Sequence, residues 1–215
     1  MEPELIWMRP EVSGVGRPPS RSRAEITEAA VRVADRDGLD GVSMRHVAAE
    51  LGTAAGSLYR YVDNRDDLLD LMADHVYAEY ELDEPSGDWL ADLVAHGLQA
   101  REIYRRHPWL AELVLTRPVV GPKGVDVIEH VLAVLADHPA ADSDKMVALA
   151  MLNAVVAAAA QSEASPADVL RSARYVAHVA AAGNHPHLAA LKQAPADGDP
   201  LPGALRRILQ GLLAT

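Results

Sequence analysis

VSMRHVAAELGTAAGSLYRYVDNR, residues 42–65, is the segment that decides the fold of this chain. Its first apolar residues have the spacing of one face of a short helix, which Ser43 can cap. They are Met44, Val47, Ala48 and Leu51. Gly52 ends that helix, and Thr53 can cap a second helix over about 54–62. Because so short a turn forces the two helices to cross sharply, the segment predicts a helix-turn-helix.

The second predicted helix places unusual side chains on its outer face. Leu58 and Val62 form its inner stripe. The outer face then holds Ser57, Tyr59, Arg60 and Tyr61. Hydroxyl, phenol and guanidinium donors suit DNA phosphates and base edges, and Gly56 leaves room for a DNA backbone. For Tyr59 the alternative is packing inward against the first helix, and the sequence leaves both arrangements open.

The motif V-S-M-R-x-V-A-x-x-L-G-x-x-x-G-S-L-Y-x-Y-V-x-N-R-x-x-L-L, residues 42–69, resembles the DNA-binding domain of the tetracycline repressor (TetR) family of bacterial regulators. The resemblance implies that Arg45 reaches a base edge and that Arg60 lies near the bases. The phosphate-binding residues that it implies are Ser43, Ser57, Tyr59, Tyr61 and Arg65. We add Thr53 and Gly56 to the candidate DNA-binding set. Val62 replaces a phenylalanine common in the family and agrees with the tetracycline-resistance branch.

Composition limits the class of protein. With 215 residues, of which 49% are hydrophobic, the chain can bury a full core. It has no cysteine, which excludes disulfides, thiolate metal sites and cysteine nucleophiles. We find no apolar run of membrane length and no secretory signal pattern. We therefore expect a cytoplasmic bacterial protein.

Charge is distributed unevenly along the chain. The formal net charge of −11 argues at first against DNA, because acidic surfaces repel phosphates. Residues 14–65, however, hold eight arginines and seven acidic residues, a net of +1, so the remainder carries −12. A near-neutral region joined to an acidic body can still bind DNA if its arginines gather on one face.

Residues 1–20 lack periodicity and are rich in proline and glycine, which predicts a flexible arm. The segment has two possible roles. It is either a tail without function or a basic arm that enters a DNA minor groove or lies along phosphates through Arg17, Arg21 and Arg23. The helix-turn-helix domain and its connecting helix are predicted over residues 21–80.

Two further helices complete that N-terminal domain. One runs from about Ser22 to Gly38 and forms its floor, so the domain has three helices before the connecting helix. The connecting helix covers residues 64–80, with Asp63 or Asn64 as its cap. The break ELDEPSGD, residues 81–88, marks a predicted domain boundary.

The remainder, residues 88–215, has no alternating strand pattern and predicts an all-α protein. We expect helices near 88–106, 108–116, 123–137, 143–162, 166–181 and 202–213. Residues 146–160 have apolar side chains on almost every face of the predicted helix. These must be buried either in the core of one chain or against a second subunit. HPWLAELVLTRP, residues 107–118, resembles the C-terminal ligand-binding and dimerisation domain of the tetracycline-repressor branch. That resemblance implies a four-helix dimer built here from 143–162 and 202–213.

Candidate pocket residues are aromatic or polar side chains on otherwise apolar helices, and each fits an ordinary core equally well. They are Trp89, His96, Tyr104, Trp109, Asn153 and Tyr175. The tetracycline-repressor branch has a metal-binding histidine where this chain has Leu113, so metal-tetracycline binding in that mode is not expected. Of nine histidines only His185 and His187 lie close together. We therefore predict no metal and no cofactor.

These patterns predict a ligand-responsive transcriptional regulator, most simply a repressor. It would bind a palindromic double-stranded DNA operator as a homodimer and be released by a small hydrophobic or aromatic molecule. The sequence contains no nucleophile elbow, phosphate loop or metalloprotease helix. The alternatives are an all-helical enzyme and a helical adaptor that does not bind DNA.

Overall fold

The computed structural model describes residues 5–9, 21–117, 120–162, 166–190 and 198–214, and over these ranges its only regular secondary structure is helical. The helices are α1 Arg23–Gly41, α2 Met44–Glu50, α3 Ala55–Leu58, α4 Arg65–Tyr77, α5 Trp89–Arg106, α6 Pro108–Thr116, α7 Pro122–Val134, α8 Asp142–Gln161, α9 Pro166–Ala181, α10 Pro186–Ala189 and α11 Leu201–Leu212. A short 3₁₀ helix, Ile6–Met8, precedes them. The all-α prediction is confirmed.

The helix α1 forms the floor under the helix-turn-helix, as predicted. Ser22 and Glu25 form a reciprocal capping box at its start, which satisfies two otherwise free backbone donors. Its regular conformation is interrupted at Gly38, where φ is 71°, a value that favours glycine. The buried face of α1 packs against α2 and α4, so the floor and the connecting helix share one core.

The connecting helix α4 is the main link between the helix-turn-helix and the later helices. Asn64 caps it by accepting a hydrogen bond from the backbone N–H of Asp67 at 2.8 Å. The helix packs on α1 at one side and on α7 at the other. Its length is shorter than the predicted 64–80, because it ends at Tyr77 and the chain then runs without regular structure to Asp88.

Residues 5–9 correct the prediction of a flexible arm over residues 1–20. Ile6 is buried in the core, and Arg9 forms ion pairs with Asp63 and with Asp67. Arg23 donates to the backbone oxygens of Ile6 and Arg9. A single docked turn has no periodicity that a sequence pattern could reveal. Most of the predicted arm, including Arg17, lies outside the described residues.

The C-terminal helices form a second packed layer. Helix α8 packs against α5 and α6, and α11 packs against α5 and α8. The observed bounds agree with the predicted ones to within three residues, and α10 is a short helix that was not predicted. Helix α9 contacts α10, and its described side chains from 170 to 178 are exposed.

Helix α8 corrects the prediction that no apolar run reaches membrane length. Among the described helices it alone is long and apolar enough to cross a membrane, with 20 residues and a mean hydropathy of 1.4. It begins, however, with charged residues that include Asp142, Asp144 and Lys145, and it packs against three other helices. Only 33% of its apolar window is buried within one chain, so α8 is a bundle helix with one face covered and one face open.

Candidate DNA-binding surface and effector cavity

The helix-turn-helix consists of α2 and α3, joined by a turn at Gly52. Ser43 caps α2 by accepting a hydrogen bond from the backbone N–H of His46 at 3.2 Å. Gly52 has a φ of 63°, a left-handed conformation that lets the chain reverse between the helices. Both features agree with the prediction.

Helix α3 is shorter than predicted, and Thr53 is not its cap. The helix comprises Ala55–Leu58, followed by a turn, and its N-cap residue is Ala54. Ser57 Oγ donates to the backbone oxygen of Ala54 at 2.7 Å and lies 3.0 Å from Thr53 Oγ1. The threonine hydroxyl therefore orders the turn by binding Ser57 instead of capping the helix.

The outer surface of the helix-turn-helix holds most of the predicted DNA-binding side chains. Tyr59 faces outward with 51% of its surface exposed, which decides the alternative that the sequence left open. Arg45 and Arg60 are exposed and form no hydrogen bond or ion pair with the residues that the structure describes. A Cβ atom added at Gly56 would meet no atom within 4 Å, so this part of the surface is open.

Tyr61 corrects the prediction of an exposed phenol. Only 3% of its surface is exposed, because α3 ends at Leu58 and the following turn rotates Tyr61 towards the core. The guanidinium carbon of Arg60 lies 5.9 Å from the centre of the Tyr61 ring, so the arginine covers this aromatic side chain.

Three arginine side chains near this surface already donate hydrogen bonds to backbone oxygens. Arg65 donates to the backbone oxygens of Val42 at 2.9 Å and Leu39 at 2.6 Å. Arg21 donates to Leu51 O at 2.8 Å, and Arg23 donates to Tyr61 O at 3.0 Å. These bonds fix the backbone on both sides of the helix-turn-helix, which orients the exposed Arg45 and Arg60.

A cavity of about 320 Å³ lies among α4, α6, α7 and α8. Four polar side chains reach its wall, and the rest of the lining is apolar apart from backbone groups. The polar side chains are Tyr77, Tyr80, Arg117 and Asn153. Burial raises the pKa of Tyr77 to about 12 and that of Tyr80 further, so both phenols are neutral donors at physiological pH. The cavity thus suits an apolar molecule with few polar groups.

The six predicted pocket residues do not form one site. Of them, only Asn153 lines the apolar cavity among α4, α6, α7 and α8. Tyr104 is buried beside Tyr80, behind the cavity wall. Trp109 is buried too, and its Nε1 donates to Asp35 Oδ1 of α1 at 2.7 Å. Trp109 is therefore structural, since its polar group already binds the protein, and Tyr104 belongs to the core.

The other three candidates lie elsewhere. Trp89 packs edge-on against His138 and lines a separate cleft. Tyr175 is 70% exposed on α9 and does not line the apolar cavity. His96 is 6% exposed and stacks on Tyr80 with ring centres 4.9 Å apart, which places it behind the cavity wall. Helical position alone did not distinguish a cavity wall from a core or a surface.

Three of the four polar cavity residues were missed by the sequence analysis. Tyr77 and Tyr80 share a spacing of three residues at the end of the predicted connecting helix, and this was the available signal. Arg117 belongs to the T-R-P motif but carried no predicted role. Its position in the wall depends on the packing of α6 against α8, which is a long-range contact.

Arg117 also joins the cavity to the connecting helix. Its guanidinium pairs with Asp66 at 3.1 Å and with Asp70, both on α4. Four residues after Asp70, Asp74 accepts hydrogen bonds from the backbone N–H groups of Lys123 at 2.7 Å and Gly124 at 3.0 Å, at the start of α7. Burial raises the pKa of Asp74, and those two backbone bonds oppose the rise. One face of α4 is therefore held by both walls of the cavity.

A second contact joins the two layers at His107. Its Nδ1 lies 2.7 Å from Asp35 Oδ1 of α1, and its Nε2 lies 3.0 Å from Glu79 Oε1 after α4. Arg106 pairs with Glu79 as well. Burial acts to raise the pKa of Glu79, but hydrogen bonds from Arg106 and His107 outweigh it and lower that pKa. This network fixes the start of α6 against α1.

The predicted dimer helices bury some of their apolar side chains within one chain and expose others. Ala157 and Leu209 are fully buried within a single chain. On α8, Val147 and Met151 are 49% and 44% exposed and lie four residues apart on one face. Within the described residues no group of three or more histidine, aspartate or glutamate side chains is placed to hold a metal.

Comparisons with known proteins agree with this architecture. Residues 26–72 match the family described as bacterial regulatory proteins, tetR family, and residues 81–215 match the family described as tetracyclin repressor-like, C-terminal domain. The chain is 37% identical to the HTH-type transcriptional repressor DrrR1 of Streptomyces coeruleorubidus, over 97% of this chain and 83% of that protein.

Solved structures give the same result. Apo ActR from Streptomyces coelicolor superposes with a TM-score of 0.78 at 30% identity, covering 93% of this chain and 97% of that one. ActR in complex with actinorhodin gives a TM-score of 0.75 at 29% identity, covering 91% and 96%. These relatives are regulators and not enzymes, so neither an enzyme nor an adaptor is favoured. With its helix-turn-helix and its helical C-terminal layer, this chain belongs to the TetR family of transcriptional regulators.

Proposed function

We propose that this regulator is a cytoplasmic homodimeric repressor that leaves its palindromic operator when a small apolar, aromatic molecule fills the cavity among α4, α6, α7 and α8. The observation that carries the proposal is the ion pair between Arg117, in the cavity wall, and Asp70 of the connecting helix. The proposed division into residues 21–80 and 88–215 places that contact between the DNA-binding and the ligand-binding parts.

The proposed DNA contacts use the exposed side chains of the helix-turn-helix. Arg45 and Arg60 can donate to base edges, because neither guanidinium forms a hydrogen bond or ion pair with a described residue, while that of Arg60 lies over the Tyr61 ring. The proposed phosphate-binding residues are Ser43, Ser57, Tyr59 and Arg65. Gly56 lets the DNA backbone approach α3, and Thr53 holds the turn through Ser57. Tyr61 is buried and supports Arg60.

The proposed dimer uses α8 and α11 of each subunit as a four-helix interface. The exposed Val147 and Met151 on α8 need an apolar partner, because exposed apolar side chains clustered on one helix face mark interaction sites. Helix α11 packs beside α8, so the two helices can present a common surface. A two-fold dimer would place two α3 helices about 34 Å apart, or a multiple of that, on a palindromic site.

The proposed effector is apolar and aromatic. The cavity lining supports this class, since its four polar side chains can orient a ligand while the remaining wall excludes water. The similar protein ActR has been crystallised with actinorhodin and with (S)-DNPA. Leu113 is buried and cannot ligate a metal, which argues against a metal-dependent effector at that position.

Release from DNA requires that the effector favour one conformation. A ligand with equal affinity for the DNA-binding and the free conformation shifts nothing. Filling the cavity pushes on Arg117, which directly follows α6, and on the start of α7. Both of these hold α4, through Asp70 and Asp74. The proposed consequence is a tilt of α4 that changes the separation of the two α3 helices.

The experiment begins with selection of an operator from random DNA and a thermal-shift screen of aromatic compounds. A stabilising compound should weaken operator binding by about 5- to 150-fold, the usual range of allosteric coupling. Ala154→Trp, which fills the cavity, should abolish the thermal shift, whereas Val125→Trp on the exposed face of α7 should not. The proposal would be contradicted if the unliganded protein bound no DNA sequence specifically. It would also be contradicted if Ala154→Trp left the thermal shift caused by the compound unchanged.

A further inference from the structure

His107, directly before α6, contacts one carboxylate with each of its two ring nitrogens. Nδ1 lies 2.7 Å from Asp35 Oδ1 on α1, and Nε2 lies 3.0 Å from Glu79 Oε1, just after α4. The side chain of His107 is only 10% exposed, so water can hardly replace a missing partner. A neutral imidazole has one donor and one acceptor, and an ionised carboxylate only accepts. A neutral His107 would therefore leave one of the two contacts without a hydrogen.

Both carboxylates act as acceptors in this network. Trp109 Nε1, which can only donate, donates to the same Asp35 Oδ1 at 2.7 Å. Burial acts to raise the pKa of Glu79, but hydrogen bonds from Arg106 and His107 lower that pKa overall, so Glu79 is ionised at physiological pH. Because an acceptor faces each ring nitrogen of His107, both contacts are hydrogen bonds only if each nitrogen carries a proton. This geometry matches an imidazolium, which donates from both nitrogens.

The charges next to His107 balance only when its ring is protonated. Asp35 of α1 and Glu79 face the ring, and Arg106 at the end of α5 pairs with Glu79. Helix α6 contributes the neutral ring of Trp109, and α8, which packs on α6, adds no hydrogen bond or ion pair from its described residues. With a neutral imidazole, one guanidinium would serve two carboxylates, whereas an imidazolium gives two cations and two anions. Opposite charges at hydrogen-bond distance favour the charged form of an imidazole.

We propose that His107 is an imidazolium in the folded protein and that its two hydrogen bonds form a latch, which holds α1 and the helix-turn-helix in the position that binds the operator. His107 is a positioning residue, because it acts on DNA only through α1. Histidine changes its charge near physiological pH, so raising the pH removes one proton and opens one of the two bonds. The effect on DNA rests on the proposed operator binding, whereas the charge of His107 does not. The latch is separate from the contact between Arg117 and Asp70, since it joins the start of α6 to α1.

Long-range ¹H–¹⁵N spectra of the histidine rings test the charge directly, and the spectrum of His107→Gln assigns the His107 signals. At about pH 7 both ring nitrogens of His107 should be protonated. As the pH is raised, one nitrogen should lose its proton, and the indole N–H signal of Trp109 should shift with the same midpoint, because Asp35 binds both side chains. Asp35→Asn keeps an oxygen that accepts from Trp109 but removes the charge, so His107 should lose its proton at a lower pH. The matched control Asp37→Asn, at an exposed position on α1, should leave the midpoint unchanged.

Operator affinity, measured by fluorescence anisotropy at fixed salt, tests the latch. His107→Gln keeps a hydrogen-bond donor but carries no charge, and at about pH 6.5 it should bind the selected operator about fivefold more weakly than the wild type. That ratio should fall towards one by about pH 9, where the wild-type ring is neutral too. His46, exposed beside Arg45, is present in both proteins, so any effect of its own charge cancels in the ratio.

The two measurements separate this proposal from the proposed function. A ratio that did not change with pH, or an unprotonated ring nitrogen of His107 at neutral pH, would overturn the proposal. If the protein bound no operator, the proposed function would fail, and the spectra alone would decide the latch. In that case a Trp109 signal that did not follow the titration of His107 would overturn it.

Discussion

Arg117, in the wall of the apolar cavity, forms an ion pair with Asp70 in the middle of the connecting helix α4. Both side chains are mostly buried, and Asp66 adds a second, more exposed carboxylate. Burial raises the pKa of Asp70, and the charge of Arg117 acts against that rise. A half-buried ion pair of this kind holds two elements in one relative position, because breaking it leaves an uncompensated charge. It is therefore the contact through which the cavity can influence α4.

Asp70→Asn should lower the free energy of unfolding by about 1–3 kcal/mol, because it leaves Arg117 half-buried with only the exposed Asp66 as partner. Urea denaturation measures this loss. The control is Asp126→Asn, which breaks the exposed pair with Lys123 and should leave the urea midpoint unchanged within error. Equal midpoints for the two variants would show that the Arg117 pair does not hold the layers together.

Arg45→Ala should reduce the preference for the selected operator over a single-base variant by about 1–3 kcal/mol, as expected for loss of a base contact. Tyr59→Phe should instead weaken selected and random DNA alike, because it removes a phosphate donor. Fluorescence anisotropy at fixed salt measures both. Arg32→Ala, on the outer face of α1 where Arg32 pairs with Glu50, is the control. Equal losses on selected and random DNA for Arg45→Ala would exclude a base contact.

Met151→Glu should give a folded monomer, because it places a charge in the proposed interface at a position that is exposed within one chain. Sedimentation velocity and circular dichroism check mass and fold together. Val125→Glu, at an equally exposed site on α7, should remain dimeric. A dimeric Met151→Glu protein would place the interface elsewhere. Substitution of Ala157 or Leu209 is uninformative, since both are buried in the core and a charge there would unfold the chain.

Stability should fall as the pH is lowered below 6.5, partly because of His96. Its folded-state pKa is about 4, so between the two values the unfolded chain binds more protons than the folded one. The stability that this creates is complete above the unfolded pKa and decreases by up to about 3 kcal/mol towards pH 4. His96→Phe should flatten this slope, as measured by urea denaturation at several pH values. His75→Gln, at an exposed position on α4, is the control; a slope unchanged by His96→Phe would refute the assignment.

Local patterns predicted the helices well. Ser43 was identified as a cap, and Asn64 was one of two candidates together with Asp63, because short polar side chains at these positions bind backbone N–H groups three residues further on. Pro108 fixed the start of α6 for a similarly local reason. Where the predicted cap failed, at Thr53, the competing partner Ser57 was also local but was not considered.

The cavity could not be predicted in the same way. Trp109 and Asn153 have similar positions on apolar helices, yet Trp109 binds Asp35 of α1 while Asn153 faces the cavity. The difference depends on how α6 and α8 pack, which involves residues far apart in sequence. The docking of Ile6 beside α4 was missed for the same reason.

The separation of the two helix-turn-helix units in the dimer tests the central proposal most directly. The chain has no native cysteine, so Ala49→Cys, at an exposed position on α2, allows one spin label to be attached per subunit. Pulsed electron–electron double resonance then measures the distance between the two labels. The proposal predicts one narrow distance distribution with operator and a displaced distribution when a stabilising compound fills the cavity. The proposal also predicts that in the Ala154→Trp variant the compound leaves the distance distribution unchanged. A compound that released the operator while the distance distribution stayed unchanged would contradict the proposed movement of α4.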